Sequence, residues 1–161
     1  MIKRTITGLA VLGGLLGTTA AFTTSPAHAA TMSTETVGVK VLAKAETKAG
    51  DWYDARAYYP TVSLDCSGLV YWSVRAAGYS WPSQLRTTYD ILSYGVSHGY
   101  VTKVKYPQRG DLAFYGSGHV EFCTTWYHHT YGAHTTGQRI GWTPYFPGTS
   151  WNVTAFYRIN K

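Results

Sequence analysis

Three residues of this chain combine a reactive side chain with surroundings that suit it: Cys66, His119 and His134. Cys66 lies in the run Asp65-Cys66-Ser67-Gly68-Leu69-Val70. Asp65 is a helix-capping residue type, which puts the cysteine in the first turn of a predicted helix. Unpaired N–H groups and the helix dipole favour negative charge there. The thiolate is the nucleophile, and a free cysteine ionises only near about pH 8.5, so a helix start is a useful place for it. Ser67 and Gly68 are small and would let a substrate backbone come close, which makes Ser67 a candidate binding residue. A thiol so placed also needs a base. His119 follows the turn Gly116-Ser117-Gly118 and opens a predicted strand, where it can face a cleft while the strand holds it.

The second ring nitrogen of such a base needs an orienting partner. A tight turn near Trp126 and Tyr127 would fold the next strand back antiparallel. Residue numbers on facing positions then sum to a constant, and a sum of 253 sets His134 opposite His119. A slip of one residue would send His134 to the other face. Glu121 shares a face with His119, because strand side chains alternate. Two roles are open to it: binding a substrate amine, or standing as a rim carboxylate.

The elements that must position these residues fall into two groups. Apolar spacing predicts a helix over 35–48, capped by Thr34 or Ser33 and stopped by Gly50. A second is predicted over 67–77, ended by Gly78, and a third over 84–93 after Ser83 as cap. Residues 51–64 read as a loop. After residue 98 the chain turns strand-like, with runs at 112–115, 119–126, 130–136 and 153–159 punctuated by Gly and Pro. Helices first and an antiparallel sheet afterwards predict an α+β domain.

The first 29 residues are expected to lie outside that domain. Lys3 and Arg4 precede an apolar run from Ile6 to Ala21, and Ala27-His28-Ala29 supplies a small-x-small cleavage pattern. This is the layout of a secretory signal peptide, and the run is too short for a spanning helix of about 20 apolar residues. The mature chain is expected to start near Ala30, as one domain over 30–161 with no integral membrane segment. The formal charge is +6 for all 161 residues. Without Lys3 and Arg4 it is +4, a mild excess that suits an anionic envelope. The basic residues do not cluster, and no nucleic-acid motif is present. Six Trp and 14 Tyr are a heavy aromatic load, most of it assigned to core and strands.

Taken together, DCSGLV, then GDLAFYGSGHVEF, then GAH resembles the NlpC family of cell-wall endopeptidases, over residues 53–159. The resemblance implies a papain-like fold with helices packed on a small antiparallel sheet. It implies a secreted or wall-associated bacterial cysteine peptidase with no metal and no cofactor, acting as a monomer on peptidoglycan stem peptides. The implied bond joins D-glutamate to a diamino acid. Carried over, Cys66 is the nucleophile, His119 the base and His134 the orienter, and Tyr53 matches a tyrosine that lines the family's site. The chain departs from the family pattern at Arg56-Ala57, where paired glycines are usual, and at Glu121-Phe122-Cys123, where Gly-Ile-Tyr is usual.

Two other readings compete with this one. In an exported protein, Cys66 and Cys123 are expected to pair as a disulfide, which would suit a non-catalytic wall or carbohydrate binder. Against it, Cys123 lies four residues beyond His119, about 13 Å along a strand. Disulfide-bonded Cα atoms must approach within about 7 Å, so Cys66 cannot serve both partners. The other reading keeps the catalytic pair but turns it to amidase or acyl-transfer chemistry on another amide. A zinc site of His128, His129, His134 and Cys123 matches no standard ligand spacing. Arg86 and Asp111 read as structural.

Overall fold

The computed structural model describes residues 35–55, 64–124, 129–144 and 152–160. The expected signal peptide, its cleavage motif and the turn at Trp126 and Tyr127 lie outside the described residues. Helix α1 (Val37–Glu46) is capped by Thr36, two residues later than the expected Thr34; its side chain accepts from the Val39 N–H at 3.4 Å. Helix α2 (Cys66–Ala76) starts at Asp65, whose Oδ1 accepts from the Gly68 N–H at 2.6 Å. Gly78, at φ +88°, takes the chain out of it. Val41, Leu42 and Ala45 of α1 meet Leu69, Val70 and Val74 of α2 in a common core. Both sets follow the helical repeat, and each fully buried Val or Leu contributes about 1.5–3 kcal/mol.

The third predicted helix is interrupted. Ser83 is the first residue of a short 3-10 turn, Ser83–Leu85, and not a cap. The chain then extends at Thr87 (φ −109°, ψ 157°), whose hydroxyl caps a new start by accepting from the Asp90 N–H at 3.1 Å. Helix α3 (Thr88–Asp90) runs on into a wide π turn, Ile91–Gly95. A hydroxyl residue between two apolar turns competed for the backbone, and the period-3.6 pattern alone did not expose it.

Six strands follow: β1 (Val101–Val104), β2 (Leu112–Tyr115), β3 (His119–Cys123), β4 (His129–Gly132), β5 (Gly141–Pro144) and β6 (Ala155–Ile159). They form one antiparallel sheet in the order β1-β6-β2-β3-β4-β5. Neither β1 nor β5 is among the predicted strands. Gly141 and Pro144 read as breakers, and an edge position tolerates them. Phe122 faces Tyr131 and Cys123 faces Thr130, so both pairs sum to the expected 253.

The sheet has two different buried faces. Leu112, Phe114, Val120, Phe122 and Tyr131 join the core that α1 and α2 complete. The alternating residues Ala113, His119, Glu121, Cys123 and Thr130 are buried as well. Among them lie the polar side chains that a strand interior normally excludes.

Asp111, in the loop before β2, is 2% exposed. Arg158 of β6 donates to it from Nε at 3.1 Å and from Nη2 at 2.9 Å, and the Gln108 N–H donates at 2.7 Å. It is structural, as its sequence context implied. Replacing it strands a part-buried N–H and a half-buried guanidinium. Asp111→Ala is expected to lower stability by about 1–3 kcal/mol in urea denaturation. A change within about 0.5 kcal/mol, the range of ordinary surface substitutions, would show that this contact does not hold β6 in place.

Candidate active site

Cys66 is the first residue of α2, only 7% exposed, and its thiol is free. Its position depends on how the helix start is locked. Asp65 Oδ1 caps the helix and also pairs with Arg86 Nη1 at 3.0 Å. Gly68 leaves room for that pair, because a Cβ there would lie 2.7 Å from Arg86 Nη2 and 2.8 Å from Asp65 Oδ1. Gly68 therefore serves the capping ion pair, where a close substrate approach was expected. Ser67 is likewise turned inward. It is buried, and its hydroxyl donates to Asp65 Oδ1 at 3.3 Å. Tyr53 lies near the thiol. Burial raises its phenol pKa, and the negative charges of Cys66 and Asp65 add to that.

His119 opens β3 directly opposite Tyr115 of β2, with ring centroids 5.4 Å apart. The turn before it is tied to α3, since Thr88 Oγ1 donates to the Ser117 carbonyl at 2.6 Å. The imidazole is hydrogen-bonded to the Cys66 side chain and, through Nε2, to Glu121 Oε1 at 3.0 Å. Burial pushes its pKa down. The hydrogen bonds to Cys66 and Glu121 and the negative charge of both outweigh that, and lift it from 6.5 to about 9.

Glu121 is the residue whose expected place changes most. It is 0% exposed, so it is neither a rim carboxylate nor within reach of a substrate amine. His134 Nδ1 bonds to the same Oε1 at 2.9 Å, and the Thr130 hydroxyl donates to Oε2. Tyr115 Oη lies 3.2 Å from Thr130 Oγ1, and with the Thr130 proton directed at Glu121 the phenol is the donor there. Burial pushes the Glu121 pKa up. Hydrogen bonds from His119, His134 and Thr130, with the charge of His119, overcome it and hold the carboxyl below its usual range.

His134 stands beside His119 as the register requires, with ring centroids 5.5 Å apart and planes at 85°. The carboxylate joins the two rings. Sequence reasoning placed Glu121 on the right face and missed its partners. The available signal was the same sum of 253, which sets Glu121 against Gly132. A Cβ on Gly132 would lie 2.7 Å from Glu121 Cγ, so only glycine leaves room for the carboxylate arm.

Cys123 is also free and buried, and burial followed by the charge of Asp111 pushes its thiol pKa far up. A Cys66–Cys123 disulfide is thus overturned, and with it the disulfide-bonded binder. The one group of three metal-ligand side chains among the described residues is His119, Glu121 and His134, with ligand atoms within 4.8 Å of one another. The two imidazole nitrogens already bond to the Glu121 carboxylate. No helix of the described residues is long and apolar enough to cross a membrane.

No family model and no curated protein matches this chain. Solved structures do. A lipoprotein-like protein of the NLP/P60 family from Staphylococcus aureus subsp. aureus Mu50 aligns at TM-score 0.58 and 24% identity, over 76% of this chain and 41% of its own. The peptidoglycan hydrolase RipB of Mycobacterium tuberculosis aligns at TM-score 0.57 and 22% identity, over 78% of this chain and 66% of its own. A P60 domain from an antigen of M. avium subspecies paratuberculosis aligns at TM-score 0.57 and 18% identity, over 76% and 94%. The chain therefore has the α+β, papain-like fold of NLP/P60 proteins, and it spans less than two thirds of the first of them.

The Gly132 contact has a measurable consequence. Gly132→Ala forces a methyl against Glu121 and is expected to cost about 1–3 kcal/mol in chemical denaturation, as overpacking does. Gly141→Ala is the control, since nothing lies within 4 Å of a Cβ there. Equal stability of the two variants would refute the packing of Glu121 over β4.

Proposed function

We propose that this protein is an exported cysteine peptidase that hydrolyses an amide bond in the stem peptides of bacterial peptidoglycan. The observation that carries this reading is the hydrogen-bonded pair of Cys66 and His119, with the thiol at a helix N-terminus and the imidazole raised to about 9. A histidine so raised holds its proton at neutral pH, next to the sulfur at the helix start.

The steps follow from these positions. The Cys66 sulfur attacks the amide carbonyl carbon. The oxyanion that forms is met by the Cys66 backbone N–H, one of the first-turn donors the helix itself does not use. As the C–N bond breaks, His119 gives its proton to the leaving amine and a thioester remains on Cys66. Water then attacks the thioester with His119 as base, which releases the acid and restores the pair. Neither a metal nor an organic cofactor enters these steps.

The substrate class is supported by the shared fold with RipB, a peptidoglycan hydrolase, and the bond between D-glutamate and a diamino acid is its finer form. Secretion rests on the N-terminal leader pattern, and the mature chain is taken to act as a monomer at the wall. Tyr53, whose phenol feels the charge of Cys66, is assigned to the lining of the substrate site.

Cys66→Ala and His119→Ala are each expected to cut turnover by about 10⁴-fold or more with the fold retained, and Cys123→Ser to keep most activity. Mass spectrometry of muropeptides before and after incubation reads the cleaved bond, and circular dichroism reads the fold. Full activity of Cys66→Ala would sink the proposal. So would wild-type protein that leaves every muropeptide intact.

A further inference from the structure

We infer that Glu121 is the positioning residue of His119, and that His134 acts one step further out, through the Glu121 carboxylate. This rests on Cys66 and His119 forming the reactive pair, and it assigns the orienter to β3 itself in place of the residue beyond β4.

The argument begins with hydrogen-bond capacity. An imidazole has two nitrogens. In His119, Nε2 meets Glu121 Oε1 at 3.0 Å, which leaves Nδ1 for the Cys66 thiol. An ionised carboxylate accepts only, so Nε2 must carry a proton and donate it. That fixes the neutral tautomer of His119 with Nδ1 bare, which is the nitrogen needed to take a proton from sulfur or water. His134 Nδ1 meets the same oxygen at 2.9 Å and must also donate. Two donors converge on Oε1 while Thr130 holds Oε2, so the carboxylate cannot rotate away from His119.

Geometry favours Glu121 for the task. It lies two residues from His119 on one strand, so a single extended backbone sets their separation. His134 lies beyond the end of β4, in a segment without strand pairing, and is less firmly placed. The ionisable groups around His119 are Cys66 from α2, Tyr115 from β2, Glu121 on β3 and His134 beyond β4. Among them, only Glu121 offers a buried negative charge on the side away from the thiol.

The test reads His119 directly. Nitrogen-15 NMR of the wild-type protein should find His119 titrating near pH 9, with the neutral form protonated on Nε2. In Glu121→Gln, the amide can donate where the carboxylate accepted. The titration should move down by a unit or more, and the alkaline limb of kcat/KM should move down with it. By analogy with amide replacement of an orienting carboxylate, kcat should fall roughly 10²- to 10⁴-fold with KM within about threefold. His134→Ala should cost only roughly 10- to 100-fold, as loss of an outer partner does. His134→Gln, which keeps a donor to Oε1, should recover part of it.

Alkylation of Cys66 by iodoacetamide, followed against pH, supplies the same reading without a peptide substrate. The alkaline limb of that profile should shift with the NMR titration in Glu121→Gln. If the wild type cleaves no peptidoglycan while both profiles still move, the proposed function fails and the assignment of Glu121 stands. The assignment is overturned by a wild-type neutral form protonated on Nδ1, a measurement that needs no variant. It is equally overturned by an unmoved titration in folded Glu121→Gln, or by His134→Ala costing more in kcat than Glu121→Gln.

Discussion

A carboxylate with no access to water must be met by donors on every side, and that requirement organises this molecule. Removing an ion from water costs several kcal/mol even after relaxation, unless partners replace the lost hydration. Glu121 has three such partners in His119, His134 and Thr130. His119 shares the strand of Glu121, while Thr130 of β4 and His134 just beyond it are in place only in one register. A slip of one residue between β3 and β4 would remove Thr130 and His134 from the carboxylate and leave it buried with His119 alone of its three partners. The register is thus held by electrostatics as well as by the apolar face that packs on the helices.

The helical half contributes a complementary constraint. Asp65 holds three groups at once: the Gly68 N–H, the Ser67 hydroxyl and the Arg86 guanidinium. This locks the first turn of α2, and so the direction in which Cys66 leaves the backbone. The sheet half is locked to α3 by Thr88 and the Ser117 carbonyl. Sulfur and imidazole are therefore brought together by a helix start and a strand start that each carry their own restraints. A site built on element ends in this way can be held more closely than one built on free loops. The same arrangement flanks the pair with favourable fields, a helix N-terminus behind the sulfur and an anion behind the ring.

Much of this was legible in the sequence, and the unread parts have physical causes. The Cys66 helix was readable because Asp65, the small residues and the apolar run Leu69-Val70 all pointed to one start. The β3–β4 register was readable because strand pairing is arithmetic once a turn is placed. The π turn after α3 was not, because Thr87 and the helical pattern on either side give conflicting local signals. β5 was not, because Gly141 and Pro144 are breakers anywhere but at a sheet edge. The role of Glu121 escaped for a different reason. Alternation told which face it takes, but whether that face meets water depends on what covers it, and covering is a property of the whole fold. Ser67 and Gly68 show the same limit: smallness was visible, while the neighbour that required it was not.

The fit of Glu121 over Gly132 also gives the site a direction in which it can change. While the glutamate is present, position 132 admits no side chain. If the glutamate is first shortened, the space above Gly132 opens and a larger residue can settle there. Once it has, the glutamate cannot return without a clash, even where it would be favourable by charge. The pair behaves as a ratchet in sequence space: the order of substitutions decides which are reachable, and the carboxylate arrangement, once lost and filled, is closed to a single reverting step.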